Sequence, residues 1–239
     1  MGILYCVSTP IGNLADITIR ALDILKTVNT ILCEDTRTTK TLLKHYQINT
    51  PTESYHQNST AQQAAQIITR LQSGENLALV SDAGTPGISD PGSLLIQQVL
   101  AAGITVTPIP GATALICALQ AAGVDISSFV YLGFLPHKKG RQTLFNYIAQ
   151  ETRTVVFYES PHRILKTLTA LKNCKRNIVL ARELTKIHEE FIRGTAEQVY
   201  VELFKRPKIL GEFVVIIHTS PLAPLLIGEG NDEIYLVPR

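Results

Sequence analysis

A chain of 239 residues is long enough to bury a large core as one big or two modest units, and a 45% hydrophobic, 18% charged composition is that of a folded protein. No apolar stretch approaches the roughly 20 residues a membrane span needs, and no basic segment followed by an apolar run opens the chain, so neither a membrane helix nor a signal peptide is expected. The net charge of +2 is split into −2 over residues 1–118, +6 over 119–220 and −2 beyond, which makes the second half the one suited to a polyanionic partner.

Ile3–Val7 reads as the first strand and leads into Ser8-Thr9-Pro10-Ile11-Gly12-Asn13-Leu14. Asp16 is expected to cap a helix whose apolar face includes Ile17, Ala21, Leu22, Ile24, Leu25 and Val28. Thr30–Cys33 is a second strand, ending in Glu34-Asp35-Thr36-Arg37. Helices follow at about Thr38–Tyr46 and Thr60–Gln72, the latter capped by Ser59 and stopped by Gly74. Asn76–Val80 is a buried strand, and the Gly/Pro-rich stretch Ser81–Gly92 joins it to a helix at Ser93–Ala102, with Asp90 as cap and Pro91 at the first position. A strand at Ile104–Ile109, the turn Pro110–Thr113 and an apolar helix stopping near Gly123 complete this half. Strands alternating with helices predict a parallel α/β sheet covered on both faces, which we assign to a domain over residues 1–118.

The pattern then changes. Phe129–Phe134 reads as a strand, the basic loop Pro136–Arg141 opens a helix, Thr154–Tyr158 is a strand, and Ser160-Pro161 caps a helix through about Lys172. Asn177–Ala181, Glu190–Arg193 and Glu212–His218 complete the strands, with a helix at Ala196–Phe204 between the last two. The short connection from Leu184 to Glu190 suggests an antiparallel hairpin, so residues 119–220 are expected to form a second domain on a mixed sheet. Residues 221–239 show no element pattern and end in Leu236-Val237-Pro238-Arg239, which matches a thrombin-site remnant, so this tail is set apart from the fold. Cys6, Cys33, Cys117 and Cys174 lack the paired spacing of zinc or redox sites and read as buried free thiols in a reducing cytoplasm. No metal-ligand cluster is visible, and no metal is expected.

The chemistry centres on Ser81–Gly92. A strand, a Gly-rich turn and a helix place a ligand at the carboxyl edge of an open α/β sheet, and glycines let a ligand approach the backbone. The carboxylate of Asp82, just past the strand end, is placed to hold a ligand amine or hydroxyl. Neither Gly-x-Gly-x-x-Gly nor a Walker A pattern occurs, which counts against a nucleotide-phosphate cradle. Glu34-Asp35-Thr36-Arg37 is either a solvated turn or a carboxylate pair with arginine that orients a substrate ribose. His162-Arg163 either caps locally or meets a phosphate at a helix start. Lys138, Lys139 and Arg141 are expected to be exposed, as phosphate contacts or as plain surface.

Taken together, Ser8–Leu14, Cys33–Arg37, Ser81–Gly92, Pro110-Gly111-Ala112-Thr113-Ala114, Gly133-Phe134-Leu135-Pro136, Tyr158–Arg163, Ala181–Lys186 and Gly211-Glu212-Phe213 resemble the tetrapyrrole-methylase-like (class III) S-adenosylmethionine-dependent methyltransferases. Within that group they look like the ribosomal RNA small-subunit methyltransferase I family, over about residues 1–219. The resemblance departs at the C-terminus, where no pattern for the family's usual small helical segment is found.

The resemblance implies two αβα domains of the tetrapyrrole methylase type with S-adenosylmethionine between them, usually a homodimer. It also implies 2′-O-methylation of a cytidine in the decoding region of 16S ribosomal RNA, within the 30S subunit. Asp82, the backbone at Gly84 and Ile88, and Ala112-Thr113 can serve such a donor, which has no phosphate to cradle. By the same resemblance Pro10 belongs to the donor site, and Phe134, Leu135, Ala181 and Phe213 line its adenine side. Arg37, Lys138, Lys139, Arg141, His162 and Arg163 are the candidate RNA contacts. Positioning of the two reactants should carry much of the acceleration, and Asp35 or Glu159 can take the hydroxyl proton; the sequence does not choose between them. Two rival readings stay open, a methyltransferase acting on a tetrapyrrole and a nucleic-acid-binding module that has lost catalysis.

Overall fold

The computed structural model describes residues 1–56, 59–90 and 92–219. Residues beyond 219, with the tail reading, lie outside them, as does Pro91 at the expected helix start.

Five strands, β1 (Ile3–Val7), β2 (Thr30–Cys33), β3 (Thr52–Ser54), β4 (Leu77–Val80) and β5 (Thr105–Ile109), form a parallel sheet in the order β3-β2-β4-β1-β5. Every residue of β2 and β4 is buried, as expected where helices cover both faces. Alternation along β4 divides its side chains between two cores. On one face Leu77 and Leu79 pack with Ile67 and Leu71 of α3 (Ala61–Gln72) and with Leu95 and Val99 of α4 (Gly92–Ala101). On the other, Ala78 and Val80 pack with Ala21 and Leu25 of α1 (Ile19–Thr27) and Leu43 of α2 (Thr36–His45).

Two helix starts in the first half differ from the sequence reading. Asp16 ends a 3-10 turn, Leu14–Asp16, and Thr18 caps α1 by accepting from the Ala21 amide at 3.1 Å. Thr60, not Ser59, caps α3, because Gln63 three residues on reaches back to the Thr60 amide and completes a reciprocal box. The short β3, on the sheet edge and only three residues long, was not expected.

In the second half, β6 (Phe129–Phe134), β7 (Thr154–Glu159), β8 (Asn177–Arg182), β9 (Glu190–Thr195) and β10 (Phe213–His218) form a sheet in the order β6-β7-β10-β8-β9. Only β6 and β7 run parallel; the other three pairings are antiparallel, so the sheet is mixed and β8–β9 is the expected hairpin. One face packs on α6 (Arg141–Gln150), α7 (Ile164–Leu171) and α8 (Ala196–Phe204) through Phe145, Ile148, Phe157, Leu168, Val199 and Val215. The helix α7 starts at Ile164 rather than directly after Pro161.

The opposite face is covered by α5 (Ala114–Ala122), whose Leu115, Ala118, Leu119 and Ala122 pack against Val156, Val179, Val214 and Ile216. Residue 118, where the sequence pattern breaks, therefore lies inside a helix that belongs with the second sheet along its whole length. Gly123 ends it with φ +70°, a left-handed turn that favours glycine. The four cysteines are free, but only Cys33 is buried; Cys6, Cys117 and Cys174 are half-buried. No described helix is long and apolar enough to cross a membrane.

Candidate active site

Because β1 and β4 are parallel neighbours, the loops after them leave the sheet side by side, and three loops lace together there. The Thr9 amide donates to the Gly84 carbonyl at 2.9 Å and the Gly84 amide returns a bond to Thr9 at 3.1 Å. The Ser81 hydroxyl donates to the same Gly84 carbonyl at 2.9 Å. Ser8 and Thr85 hydroxyls share a 3.0 Å bond, and Thr85 donates to the Ala112 carbonyl at 3.1 Å. Gly84 has φ +85°, and a Cβ there would sit 3.3 Å from Ile11. The turn therefore needs glycine both for its conformation and for the close approach of the first loop.

The far end of this loop touches the second half. Ser89, at φ +56°, shares a 2.7 Å hydrogen bond with the Tyr131 hydroxyl of β6. Burial pushes the Tyr131 phenol well above its ordinary range, so it stays protonated. A Cβ on Gly133 would come within 3.0 Å of the Ser89 hydroxyl oxygen, and this glycine lies where the β6–β7 register shifts.

Between these parts lies a cleft of about 540 Å³. Glu34, Asp82, Ile88 and Asp90 line one wall; Phe134, Tyr158 and Phe213 line the other. Phe134 is 56% exposed, which rules out core packing, and its ring meets Tyr158 edge-on at 5.3 Å. Asp82 is exposed, and one of its oxygens accepts the Asp35 amide at 3.0 Å.

Of the expected donor-site residues, Asp82, Gly84, Ile88, Thr113, Phe134 and Phe213 line this cleft. Pro10 is buried behind it, and Ala112 contributes the carbonyl that holds Thr85. Leu135 and Ala181 are fully buried in the cores on the two faces of the second sheet, so they support the wall without forming its surface.

The expected proton acceptors are both committed elsewhere. Asp35 caps α2 by accepting the Arg37 amide at 2.8 Å and is gripped by the Arg37 guanidinium at 2.7 Å. Those hydrogen bonds hold its carboxyl down at about 2, which makes it a weak base. Glu159 lines the cleft floor, but its side chain is fully buried. One oxygen accepts Arg163 at 2.8 Å and the Ser160 amide at 2.9 Å; the other accepts Arg141 at 3.2 Å and Thr167 at 2.6 Å. A carboxylate with both oxygens occupied by donors has no position left for a substrate proton.

The same network corrects two RNA-contact expectations. Arg141 and Arg163 are only 16% and 17% exposed, because they clamp Glu159 and also donate to the carbonyls of Pro136 and Leu135. They fix the segment that directly follows Phe134 rather than facing solvent. Lys138, Lys139 and His162 are exposed, and the Arg37 side chain is 89% exposed. Sequence reading named Glu34 only as part of a possible ribose-orienting carboxylate pair, and it missed Asp90 and Tyr158 as wall residues. A signal was present for Glu34, which follows the end of β2 much as Asp82 follows the end of the neighbouring β4.

The chain matches the family Tetrapyrrole (Corrin/Porphyrin) Methylases over residues 3–200. It is 51% identical to the Ribosomal RNA small subunit methyltransferase I of Synechocystis sp. over 221 residues, covering 91% of this chain and 79% of that one. It is 48% identical to the protein of the same name from Hydrogenobaculum sp., covering 90% and 94%, and 43% identical to that from Thermotoga maritima, covering 91% and 98%. Among solved structures it resembles diphthine synthase, with TM-score 0.71 at 12% identity over 91% and 90% of the two chains. It also resembles uroporphyrin-III C-methyltransferase from Thermus thermophilus complexed with S-adenosylhomocysteine, with TM-score 0.61 at 16% identity over 90% and 97%.

Proposed function

This chain belongs to the tetrapyrrole methylase family and, within it, to the ribosomal RNA small subunit methyltransferase I group, and on that footing we propose that its cleft holds S-adenosylmethionine and that it methylates the 2′-hydroxyl of a cytidine in the decoding region of small-subunit ribosomal RNA. The observation that carries the reading is the cleft between the Ser81–Asp90 loop and the exposed Phe134 in a chain so similar to relatives of that name.

The residues present fit the donor. Asp82 offers an exposed carboxylate to an ammonium or hydroxyl, Gly84 removes a side chain where a ligand must approach the backbone, and Ile88, Phe134 and Phe213 offer an apolar slot to an aromatic base. When bound, the donor supplies a methyl group on a positively charged sulfur. Asp82 holds it, and the buried Glu159 network keeps the Phe134 wall in place. Lys138, Lys139, His162 and Arg37 contact RNA phosphates from the cleft's rim; their exposure supports this, and phosphate contacts position RNA without reading sequence.

We extend the proposal to a homodimer acting on the assembled 30S subunit. Leu94 and Leu100 of α4 are more than half exposed beside the edge strand β5, where Ile96, Val106 and Pro108 line a further hollow, and this patch supports an interface between copies.

The deciding experiment is transfer of a labelled methyl group to small ribosomal subunits, run beside a tetrapyrrole precursor, with nucleoside analysis of the digested RNA. Label in 2′-O-methylcytidine is the expected result. Label in the tetrapyrrole, or on a base, overturns it.

A further inference from the structure

Methyl transfer to a hydroxyl leaves a proton to be removed; Asp35 is gripped by Arg37 and both oxygens of Glu159 are taken by donors, so neither carboxylate is free to receive it. The remaining cleft carboxylates differ in what already holds them. Asp90 accepts the Gly92 amide at 2.8 Å as the cap of α4, Asp82 accepts the Asp35 amide, and Glu212 is paired with Lys186 at 3.1 Å. Glu34 lines the same cleft, and among the described residues its carboxylate has no hydrogen-bond or ion-pair partner. Its backbone is fixed on both sides. The Ser54 hydroxyl donates to the Glu34 carbonyl at 3.4 Å, the preceding Cys33 carbonyl accepts the Tyr55 amide at 2.8 Å, and the following Asp35 caps α2. An exposed, uncommitted carboxylate thus stands on a rigid base at the carboxyl ends of β2 and β4, across the cleft from Phe134.

We propose that Glu34 is the general base, accepting the proton of the ribose 2′-hydroxyl as the oxygen attacks. The proposal rests on the methyltransferase reading above. A lone pair of the ribose oxygen forms the new bond to the methyl carbon, and the electron pair of the broken carbon–sulfur bond leaves with the sulfur as a neutral thioether. The hydroxyl proton passes to Glu34, which becomes a neutral carboxylic acid and then releases it to water.

The surroundings of Glu34 suit this role. Partial burial raises its carboxyl above the ordinary glutamate range, and the negative charges of Asp82 and Asp90 raise it further, while His56 opposes them. Glu53, on the adjacent β3, is turned onto Arg70 at 2.7 Å, and Asp35 on the α2 side is occupied by Arg37. A carboxylate raised toward neutrality is a better proton acceptor than one held by an arginine.

The test is Glu34→Gln, which keeps size and removes basicity. Single-turnover transfer to small subunits at saturating donor should fall about 100-fold or more, while donor affinity by calorimetry stays at the wild-type value. The wild-type rate should decline as pH drops through the Glu34 titration, and the variant should lose that limb. Glu34→Asp should recover part of the rate. Independently of turnover, a labelled glutamate carboxyl resonance present in wild type and absent from Glu34→Gln should titrate above about 4.3 in donor-free protein. A wild-type rate in Glu34→Gln, or weakened donor affinity with an unchanged saturated rate, overturns the proposal. So does a resonance titrating at or below the ordinary range. A wild-type chain that binds donor but methylates no subunit instead refutes the functional reading, and the base with it.

Discussion

Glu159→Gln separates a structural carboxylate from a catalytic one. In the folded chain this group is fully buried between two guanidiniums, with all its nearest contacts at 2.6–3.2 Å. Glutamine fills the same volume but brings no charge, and its amide nitrogen faces at least one donor. Two arginines then remain in a poorly solvated pocket without a counter-ion. Breaking a buried pair by removing one partner costs about 3–5 kcal/mol. For a chain of this size each kcal/mol moves the midpoint by about 2–4 °C, so Tm should fall by roughly 6–20 °C. Thermal unfolding followed by circular dichroism measures this, with urea unfolding as a second estimate of the free energy. Donor affinity should weaken too, because the guanidiniums also hold the carbonyls of Leu135 and Pro136 beside Phe134. A variant with wild-type Tm and donor affinity but collapsed methyl transfer would refute the reasoning and return Glu159 to the chemistry.

Asp82→Ala should leave the fold intact, since its side chain is exposed, while weakening donor binding by about 1.5–3 kcal/mol on loss of a charge-assisted hydrogen bond; calorimetry reads this directly. Lys138→Ala/Lys139→Ala should bind small subunits more weakly, with a log–log salt slope shallower by about 2 and donor affinity unchanged. An unaltered slope would place RNA elsewhere. Arg37→Ala should release Asp35 from its depressed value near 2 toward the ordinary carboxylate range, as followed by carboxyl NMR. A depressed carboxyl adds stability that is full above its unfolded value and is lost as pH falls through the folded one, so the variant should have less helix-cap stability to lose and should have lost it by a higher pH than wild type.

Most of the fold was legible because the buried strands announce themselves. Leu77–Val80 and Phe213–His218 are apolar runs of strand length bounded by polar turns, and their neighbours alternate with helices. What escaped was set by partners distant in sequence. The strand β3 is a polar Thr-Glu-Ser that extends only because it pairs with β2. The apolar pattern of α5 marks it as a helix, but nothing local states that it packs on strands that come much later in the chain. The site divides in the same way. The Ser81–Asp90 loop was readable from its glycines and its place after a strand. Arg141 and Arg163 read as surface charge because charge alone does not reveal that one buried carboxylate, Glu159, faces both of them. Cys6, Cys117 and Cys174 were expected in the core on residue type, and each lies at its margin instead.

The position of β10 also bears on how the chain matures during synthesis. It is the last strand made among the described residues, yet it sits in the middle of its sheet, between β7 and β8. Until residues 213–218 have left the ribosome, the second sheet exists only as two separate pairs, β6–β7 and β8–β9, each with an exposed inner edge. The helix α5, finished long before, must wait with its apolar face incompletely covered, because Val214 and Ile216 form part of what it packs against. A nascent chain of this design stays open to aggregation and to chaperones until almost its full described length is translated. The late step is a single insertion that joins three parts at once. Slowing translation just before codon 213 should therefore prolong an aggregation-prone intermediate, whereas slowing it within the first sheet should not.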